Sequence, residues 1–312
     1  MRPSYSELTS GASRVNGSAW GLWGDDDEIG ALNDVTPAHV AAAAALVQRG
    51  AVFSLNWDLE LPSPGLFSRG PLRHVLRDDG FGMDDHYDNF FPQCSSQWDA
   101  LSHFSHPEHG YYGGRGPAEL KRPLCKNGIH NLARRGIASR FVLADVARCR
   151  EADRRPIDHA AGEALPITEV EAALAAQGTA AAPGDILLIR FGWTSWYESL
   201  GQGHRDALAE GRDFLAAGLE PGEATVRWLW DSGIVAVASD NPALEAFPFD
   251  PVGRNLHSHL IALLGIPIGE MWDLSALAAD CANDGRYTGL LTAAPLNVRG
   301  GVGSTANALA LK

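Results

Sequence analysis

Residues 185–193 read DILLIRFGW, and this stretch decides how the chain folds. Its centre is continuously apolar, which is typical of a strand buried on both faces of a sheet. A second such run, RFVLADVA, covers residues 140–147. Between them ITEVEAALAAQG, residues 167–178, predicts a helix whose Thr168 and Glu171 have the spacing of a capping box. The order strand, helix, strand predicts an α/β fold.

The same alternation continues on both sides of this unit. No linker rich in Pro, Ser or charge divides the sequence, so we expect one domain over residues 1–312, with residues 1–18 as a flexible or partner-binding arm. The predicted fold class is α/β, with a central mixed sheet flanked by helices. The other predicted elements are a helix from Pro37, capped by Thr36, to about Gln48, strands at 51–55 and 234–241, helices at 207–217 and 223–231, and loops at 61–82 and 107–116.

A polar motif, QCSSQWDALSH, covers residues 93–103. Gln97 and Asp99 are two residues apart, so their side chains lie on the same face of an extended backbone. Gln93 and His103 lie four residues to either side of this pair. Amide oxygen, carboxylate and imidazole all bind divalent cations, so the motif predicts a metal site.

A second polar cluster lies in NLHSHLIALLGIPIGEMWDL, residues 255–274. His257 and Glu270 are separated by an apolar stretch that Gly265 and Pro267 interrupt. We expect a helix to carry His257 and a strand or turn to deliver Glu270. His259, which also precedes Glu270, is the alternative to His257 at this stage.

Composition excludes several classes of function. The formal charge is −13, from 25 basic and 38 acidic residues, and argues against a nucleic-acid partner. The four cysteines show no CxxC spacing, so we expect a reducing compartment, and no apolar run is long enough for a membrane span or a signal peptide. We therefore expect a soluble, cytoplasmic protein without a membrane partner.

The motif at residues 93–103 resembles HxGTHxDxPxH, the signature of the cyclase (kynurenine formamidase-like) family of metal-dependent hydrolases. Gln93 and Gln97 fall on its first two histidines, and Asp99 and His103 fall on its Asp and last His. Further blocks resemble the family in the expected order: WGDDDEIGALNDVTPAHV (23–40), GIHNLARRGIASRFVLADVA (128–147), GDILLIRFGW (184–193), ASDNPALEAFP (238–248) and PLNVRGGVGSTANALAL (295–311).

The resemblance implies a swivelling β/β/α-type fold, a homodimer or homotetramer, and a late His and Glu that serve the metal. It favours His257 over His259, because LIALLGIPIGE then aligns without a gap. The implied metal ligands are Gln97, Asp99, His103, His257 and Glu270. Glu270 is also the expected general base, and His103 the expected acid. Because two glutamines replace histidines, which are good zinc ligands, we predict one divalent cation, with Mn²⁺ favoured and Zn²⁺ or Mg²⁺ as alternatives.

The predicted function is hydrolysis of a small lactone, cyclic amide or ester by metal-activated water. The substituted motif resembles the branch that contains trans-dienelactone hydrolase more than the formamidase branch. Two alternatives remain open, a kynurenine formamidase or isatin-hydrolase-like amidase and a metal-free pseudoenzyme that binds a small molecule. The candidate substrate-binding residues are Gln93, Trp98, His130 and Asp240, and His74 and His86 are further candidates for the substrate pocket.

Overall fold

A nine-stranded mixed sheet forms the centre of the molecule in the computed structural model, which describes residues 2–212, 214–253 and 255–312. Its order is β1-β13-β11-β5-β7-β9-β10-β4-β12, and two small sheets pair β2 with β3 and β6 with β8. The strands are β1 (Val52–Ser54), β2 (Arg73–Asp78), β3 (Met83–Asp88), β4 (Gln97–Asp99), β5 (Ile137–Asp145), β6 (Ala164–Leu165), β7 (Ile186–Arg190), β8 (Gly218–Leu219), β9 (Ala236–Ser239), β10 (Ile268–Glu270), β11 (Thr288–Ala293), β12 (Gly303–Thr305) and β13 (Ala308–Leu311).

The middle of the large sheet is parallel and its two sides are antiparallel. β5, β7, β9 and β10 pair in parallel, whereas β1, β13 and β11 on one side and β4 and β12 on the other pair antiparallel. The apolar runs of the sequence form β5, β7 and β9, whose side chains are almost all buried. The predicted α/β class with a central mixed sheet flanked by helices is confirmed.

Ten α-helices connect and cover the strands in the described residues. Thr36 caps α2 as predicted, because its hydroxyl accepts the N–H of His39 at 3.4 Å, but α2 ends before the predicted limit near Gln48. The helices are α1 (Tyr5–Glu7), α2 (Pro37–Ala44), α3 (Pro117–Leu120), α4 (His130–Arg135), α5 (Val146–Ala152), α6 (Ile167–Ala176), α7 (Trp193–Ser199), α8 (Gln202–Ala209), α9 (Glu223–Asp231) and α10 (Ser275–Asp284). Four further segments are 3-10 or π-helical, namely Leu8–Ala12, Gly30–Asp34, Tyr112–Gly114 and Ser258–Leu263.

Two helix predictions were wrong in detail. The capping box of Thr168 and Glu171 does not form, because α6 already begins at Ile167 and Pro166 occupies its N-cap position. The helix predicted at 207–217 is shifted towards the N-terminus, since α8 ends at Ala209 and Gly211 then takes a φ of +69°. A left-handed residue of this kind ends a right-handed helix.

The loop predicted at 61–82 was also wrong, because its second half begins a β-hairpin. β2 and β3 pair in antiparallel register from Arg73 opposite Asp88 to Asp78 opposite Met83. Asp79 closes the turn, where its carboxylate accepts the N–H groups of Phe81 and Gly82 at 2.9 and 2.8 Å. The hairpin strands are almost entirely exposed, so burial imposes no clear pattern on their sequence.

The N-terminal segment folds back on the domain over residues 2–8. Tyr5 and Leu8 are buried, and the guanidinium of Arg2 stacks 3.3 Å from the centre of the Trp230 ring on α9. Arg2 also donates to the backbone carbonyl of Ile234 at 3.2 Å. This segment of the expected arm therefore packs against α9 instead of extending from the domain.

Two features of the structure concern the predicted location of the protein, namely its helices and its cysteines. In the residues that the structure describes, no helix combines the length and the apolar character needed to cross a bilayer. All four cysteines are free thiols, which agrees with their scattered spacing. A cytoplasmic location stays a prediction.

Candidate metal centre

The two polar clusters of the sequence meet on neighbouring strands. β4 carries Gln97 and Asp99, and the last residue of β10, Glu270, lies directly opposite Gln97 in the antiparallel pair. On the other side of β4, Asp99 lies opposite Gly303 of β12. Side chains on directly opposed residues of neighbouring strands lie on the same face within contact distance. The sheet therefore brings together residues that are about 170 positions apart.

Asp99, His103 and His257 form the centre of this site. One potential ligand atom from each of the three lies within 4.8 Å of the others. His103 Nε2 lies 3.6 Å from Asp99 Oδ1, and His257 Nε2 lies 3.9 Å from Asp99 Oδ2. Asp99 and His257 are buried, whereas His103 is half-buried. The three residues could hold a metal ion, with His103 on its more open side.

Glu270 and Gln97 lie beside this group and bind each other. The Gln97 amide donates to Glu270 Oε2, and Glu270 Oε1 lies 3.0 Å from His257 Nε2. All five predicted ligands are thus brought to one site. Glu270 contacts His257 but lies outside the closest group of three.

The donor set fits a divalent cation. Gln97 Oε1 and Asp99 Oδ2 are buried acceptors without a hydrogen-bond partner in the part of the chain that the structure describes. Buried acceptors are normally satisfied, so two such atoms in one site need an explanation. The site also buries three carboxylates, from Asp99, Glu245 and Glu270. A divalent cation would satisfy the oxygen atoms and balance the negative charge.

The pKa values of the site reflect this crowding of charge. Burial raises the pKa of Glu270 to about 7, and the neighbouring charge of Asp99 acts in the same direction. For His257, burial favours the neutral ring, but the hydrogen bonds to Glu245 and Glu270 outweigh it and raise its pKa to about 10. For His103, burial is the largest effect and lowers the pKa. A bound cation would stabilise the ionised Glu270 and oppose its shift.

The structure brings His257, not His259, to the site. His257 immediately precedes the helical segment Ser258–Leu263, and its ring lies between Glu270 and Glu245. The ring of His259 points elsewhere, with Nδ1 2.8 Å from the carbonyl oxygen of Asn255. Strand β10 delivers Glu270, as expected.

Glu245 is a functional candidate that the sequence analysis missed. It is fully buried, its Oε1 lies 2.8 Å from His257 Nδ1, and its Oε2 accepts the N–H of Leu256 at 2.6 Å. A carboxylate on the far nitrogen of a ligand histidine fixes the ring and its tautomer. The signal was an acidic residue within the apolar part of ASDNPALEAFP, residues 238–248.

We expect Glu245→Gln to weaken divalent-cation binding by about 10- to 100-fold. The amide that replaces one carboxylate oxygen cannot accept all the N–H groups that Glu245 accepts from His257 and Leu256. Titration calorimetry of the metal-free protein with Mn²⁺ measures the change. Glu171→Gln, an exposed substitution on α6, is the matched control and should bind as the native protein does. Equal affinities in the two variants would contradict the role of Glu245.

Of the predicted substrate-binding residues, Gln93 is in the site and Trp98 is not. The Gln93 amide lies 3.2 Å from Asp99 Oδ1 and 2.8 Å from His103 Nδ1, so it links these two residues. Trp98 is completely buried and packs edge-on against Trp272. Because Trp98 lies between Gln97 and Asp99 on β4, its side chain points to the opposite face of the sheet. Its assignment to substrate was therefore wrong.

Asp240 and His130 also have structural roles. The carboxylate of Asp240 accepts the N–H groups of Phe191 and Gly192, both at 2.7 Å, and so holds the backbone after β7. His130 begins α4, and its Nδ1 accepts the N–H of Gly300 at 3.4 Å. None of these bonds reaches the metal site, so the structure does not support either residue as a substrate contact. His74 and His86 lie on the exposed hairpin.

Arg69 and Gly303 are two further residues that the sequence analysis missed. The half-buried Arg69 donates to the backbone carbonyl of Gln93 and thereby holds the start of the motif. A Cβ atom on Gly303 would lie 2.6 Å from Cγ of Gln93, so the close approach of β12 requires glycine there. Neither role has a local sequence signature, because both depend on contacts between distant segments.

Comparison with known proteins identifies the family. A family model described as "Putative cyclase" matches residues 31–246. The chain belongs to the cyclase family. The crystal structure of a novel cyclase is 36% identical to it, with a TM-score of 0.83, and the match covers 95% of this chain and 99% of that one. A search of the curated proteins finds no match.

More distant solved structures share the fold. An isatin hydrolase bound to the product analogue thioisatinate is 16% identical, with a TM-score of 0.58, over 88% of this chain and 95% of that one. Isatin hydrolase A from Ralstonia solanacearum is 16% identical, with a TM-score of 0.60, over 89% of this chain and 97% of that one. These likenesses show the fold alone. The resemblance to the cyclase family is confirmed, whereas the trans-dienelactone hydrolase branch is not supported.

Proposed function

We propose that the chain is a metal-dependent hydrolase that opens a small lactone, cyclic amide or ester. The observation that carries this proposal is the buried group of Asp99, His103 and His257, beside two buried acceptor atoms without partners. The fold shared with isatin hydrolases supports the reaction class.

Gln97, Asp99, His103 and His257 would hold the cation, with Glu270 next to them. Because this set contains an amide oxygen and only two imidazoles, we favour one Mn²⁺ over Zn²⁺ or Mg²⁺. A bound divalent cation lowers the pKa of a coordinated water and polarises a carbonyl group.

Glu270 is suited to the proton transfer. Its carboxylate contacts His257 and Gln97 and lies outside the closest ligand group. It would accept the proton of the attacking water and return it to the leaving oxygen or nitrogen. His103 was predicted both as a ligand and as the acid, and its position 3.6 Å from Asp99 favours the ligand role.

The test begins with metal-free protein that is reconstituted separately with Mn²⁺, Zn²⁺ and Mg²⁺. Hydrolysis of simple lactones, isatin and N-formylkynurenine is then measured for each form. Turnover of a lactone with one metal per chain would support the proposal, and a strong preference for isatin or N-formylkynurenine would favour the amidase or formamidase alternative. Two tightly bound zinc ions would contradict the single-metal proposal. A protein that retains no divalent cation would instead be the small-molecule-binding pseudoenzyme.

We also propose that the chain forms a homo-oligomer through the β2–β3 hairpin. One face of the hairpin carries Leu76, Met83 and Tyr87, which are 62%, 60% and 47% exposed, and Phe81 at the turn is fully exposed. An isolated two-stranded hairpin is marginally stable in water, and an exposed apolar face of this kind is typical of an interface. Arg73 and Arg77 lie on the other face of the hairpin, so apolar contacts between two copies related by a two-fold axis, and not charge pairing, would hold this interface together.

The combined variant Leu76→Ser, Phe81→Ser and Met83→Ser is expected to convert the oligomer into monomers. Light scattering coupled to size-exclusion chromatography measures the mass in solution. Val252→Ser removes a comparably exposed apolar side chain elsewhere and should leave the mass unchanged. A native protein that is monomeric, or a triple variant with the native mass, would refute the assignment of this surface.

A further inference from the structure

A cavity with basic walls adjoins the candidate metal centre. It has a volume of about 440 Å³ and lies between His103 with its neighbour Ser102, the segment around α3, and the loop that precedes β12. Three cationic side chains, those of Lys121, Arg122 and Arg299, line it. We call it the basic cavity. Its volume is within the range of about 300 to 1,000 Å³ that is usual for small-molecule sites.

These three cations have no acidic partner in the part of the chain that the structure describes. Lys121 and Arg122 form no side-chain hydrogen bond or ion pair with those residues, although the chain has more acidic than basic groups. Arg299 donates to the carbonyl of Pro123 at 2.7 Å, which ties two walls of the cavity together and leaves its positive charge uncompensated. By contrast, Arg140 is paired with Asp185. Like charges grouped around one cavity favour an anion inside it.

The cavity also has a buried polar group that points to a ligand. Ser102 is 4% exposed and lines the cavity, and its hydroxyl has no hydrogen-bond partner among the described residues. A buried hydroxyl without a partner is costly, and an anionic or polar ligand would accept its hydrogen bond. His103, the next residue, belongs to both the cavity wall and the metal centre. A ligand in the cavity is therefore adjacent to the reacting position.

We propose that the substrate is a small cyclic ester or amide that carries a carboxylate, and that this carboxylate binds in the basic cavity. The inference rests on the proposed hydrolase function. Water adds to the acyl carbon while the ring C–O or C–N bond breaks, and the proton of the water goes to the released oxygen or nitrogen. The product of such a substrate is a dicarboxylate. Lys121, Arg122 and Arg299 recognise the carboxylate that is present before the reaction.

The first test compares two matched lactones with the Mn²⁺-loaded protein. They are 5-oxotetrahydrofuran-2-carboxylate and its neutral carboxamide. We expect KM to be at least about tenfold lower for the carboxylate, as for a charge-assisted contact at a partly exposed site. The KM for the carboxylate alone should rise with NaCl concentration, because salt screens exposed charges. Equal KM values for the two lactones in the native protein would overturn the proposal.

The second test removes two of the charges with the variant Lys121→Gln, Arg122→Gln. The ratio of the two KM values should fall towards one, whereas Arg148→Gln, an exposed control on α5, should keep the native ratio. Equal increases in both KM values would indicate a merely structural effect and overturn the proposal.

Direct binding separates this inference from the proposed function. The product of the anionic lactone, 2-hydroxyglutarate, can be titrated calorimetrically into the protein whether or not either lactone is hydrolysed. Binding by the native protein that weakens about tenfold in the double variant supports the anion site. If neither lactone is hydrolysed but 2-hydroxyglutarate binds and its binding weakens in the double variant, the proposed lactone hydrolysis is wrong and the anion site is supported. No binding by the native protein overturns the anion site.

Discussion

Glu270→Gln is expected to reduce kcat by about a thousandfold, within the range that general-base catalysis contributes. The substitution keeps the size of the side chain and an oxygen that can face Gln97 or His257, but it removes the basic carboxylate. Because Glu270 lies outside the closest group of Asp99, His103 and His257, Mn²⁺ affinity should change by less than about tenfold. A large decrease in kcat with a small decrease in Mn²⁺ affinity distinguishes a proton-transfer role from a ligand role.

Steady-state kinetics at saturating Mn²⁺, together with calorimetric titration, measures both quantities. Glu171→Gln on α6 again provides an exposed control with the same chemical change. A variant that retains native turnover would remove Glu270 from the mechanism. If activity and metal binding were lost together, Glu270 would be a ligand instead.

Asp99→Asn should lower divalent-cation affinity by at least about 100-fold, more than the loss of a residue that only orients a ligand. Asp99 is completely buried, lies near both histidines of the site and has an oxygen without a partner among the described residues. The amide has nearly the same shape but no charge. In metal-free buffer the variant should be at least as stable as the native protein, because it removes a like charge next to Glu270.

Thermal unfolding with and without Mn²⁺ tests this expectation. A cation that binds only the folded state raises Tm more the more tightly it binds, so the native protein should gain several degrees and Asp99→Asn almost none. Asp153→Asn, at an exposed position, should respond as the native protein does. An equal gain in Asp99→Asn would show that the cation binds elsewhere.

The buried strands could be predicted because burial on two faces leaves a continuous apolar run. This was the case for β5, β7 and β9, and the helix predicted at 223–231 coincides with α9. The β2–β3 hairpin could not be predicted from such a pattern, because both faces of its strands are exposed. The N-cap of α6 was misplaced, because Thr168 and Glu171 have the spacing of a capping box but Pro166 occupies the N-cap position.

The residues of the candidate site also divide into those that local sequence could predict and those that it could not. The spacing of Gln97 and Asp99 predicted a shared face correctly, because alternation along a strand is a local property. The same rule applied to Trp98 would have placed it in the core, where it packs against Trp272. Glu245 has no spacing rule to identify it, because its only relation to His257 is a contact made in the folded chain.

The sequence by itself determined the α/β class, the family resemblance and the chemical types of the candidate ligands, since these depend on local patterns of residues. The tertiary structure alone decided that Glu270 lies opposite Gln97, that His257 rather than His259 points into the site, and that Glu245 holds it there. It also placed the basic cavity beside His103. These relations depend on strand register and helix placement, which are set by packing between segments that are distant in the chain.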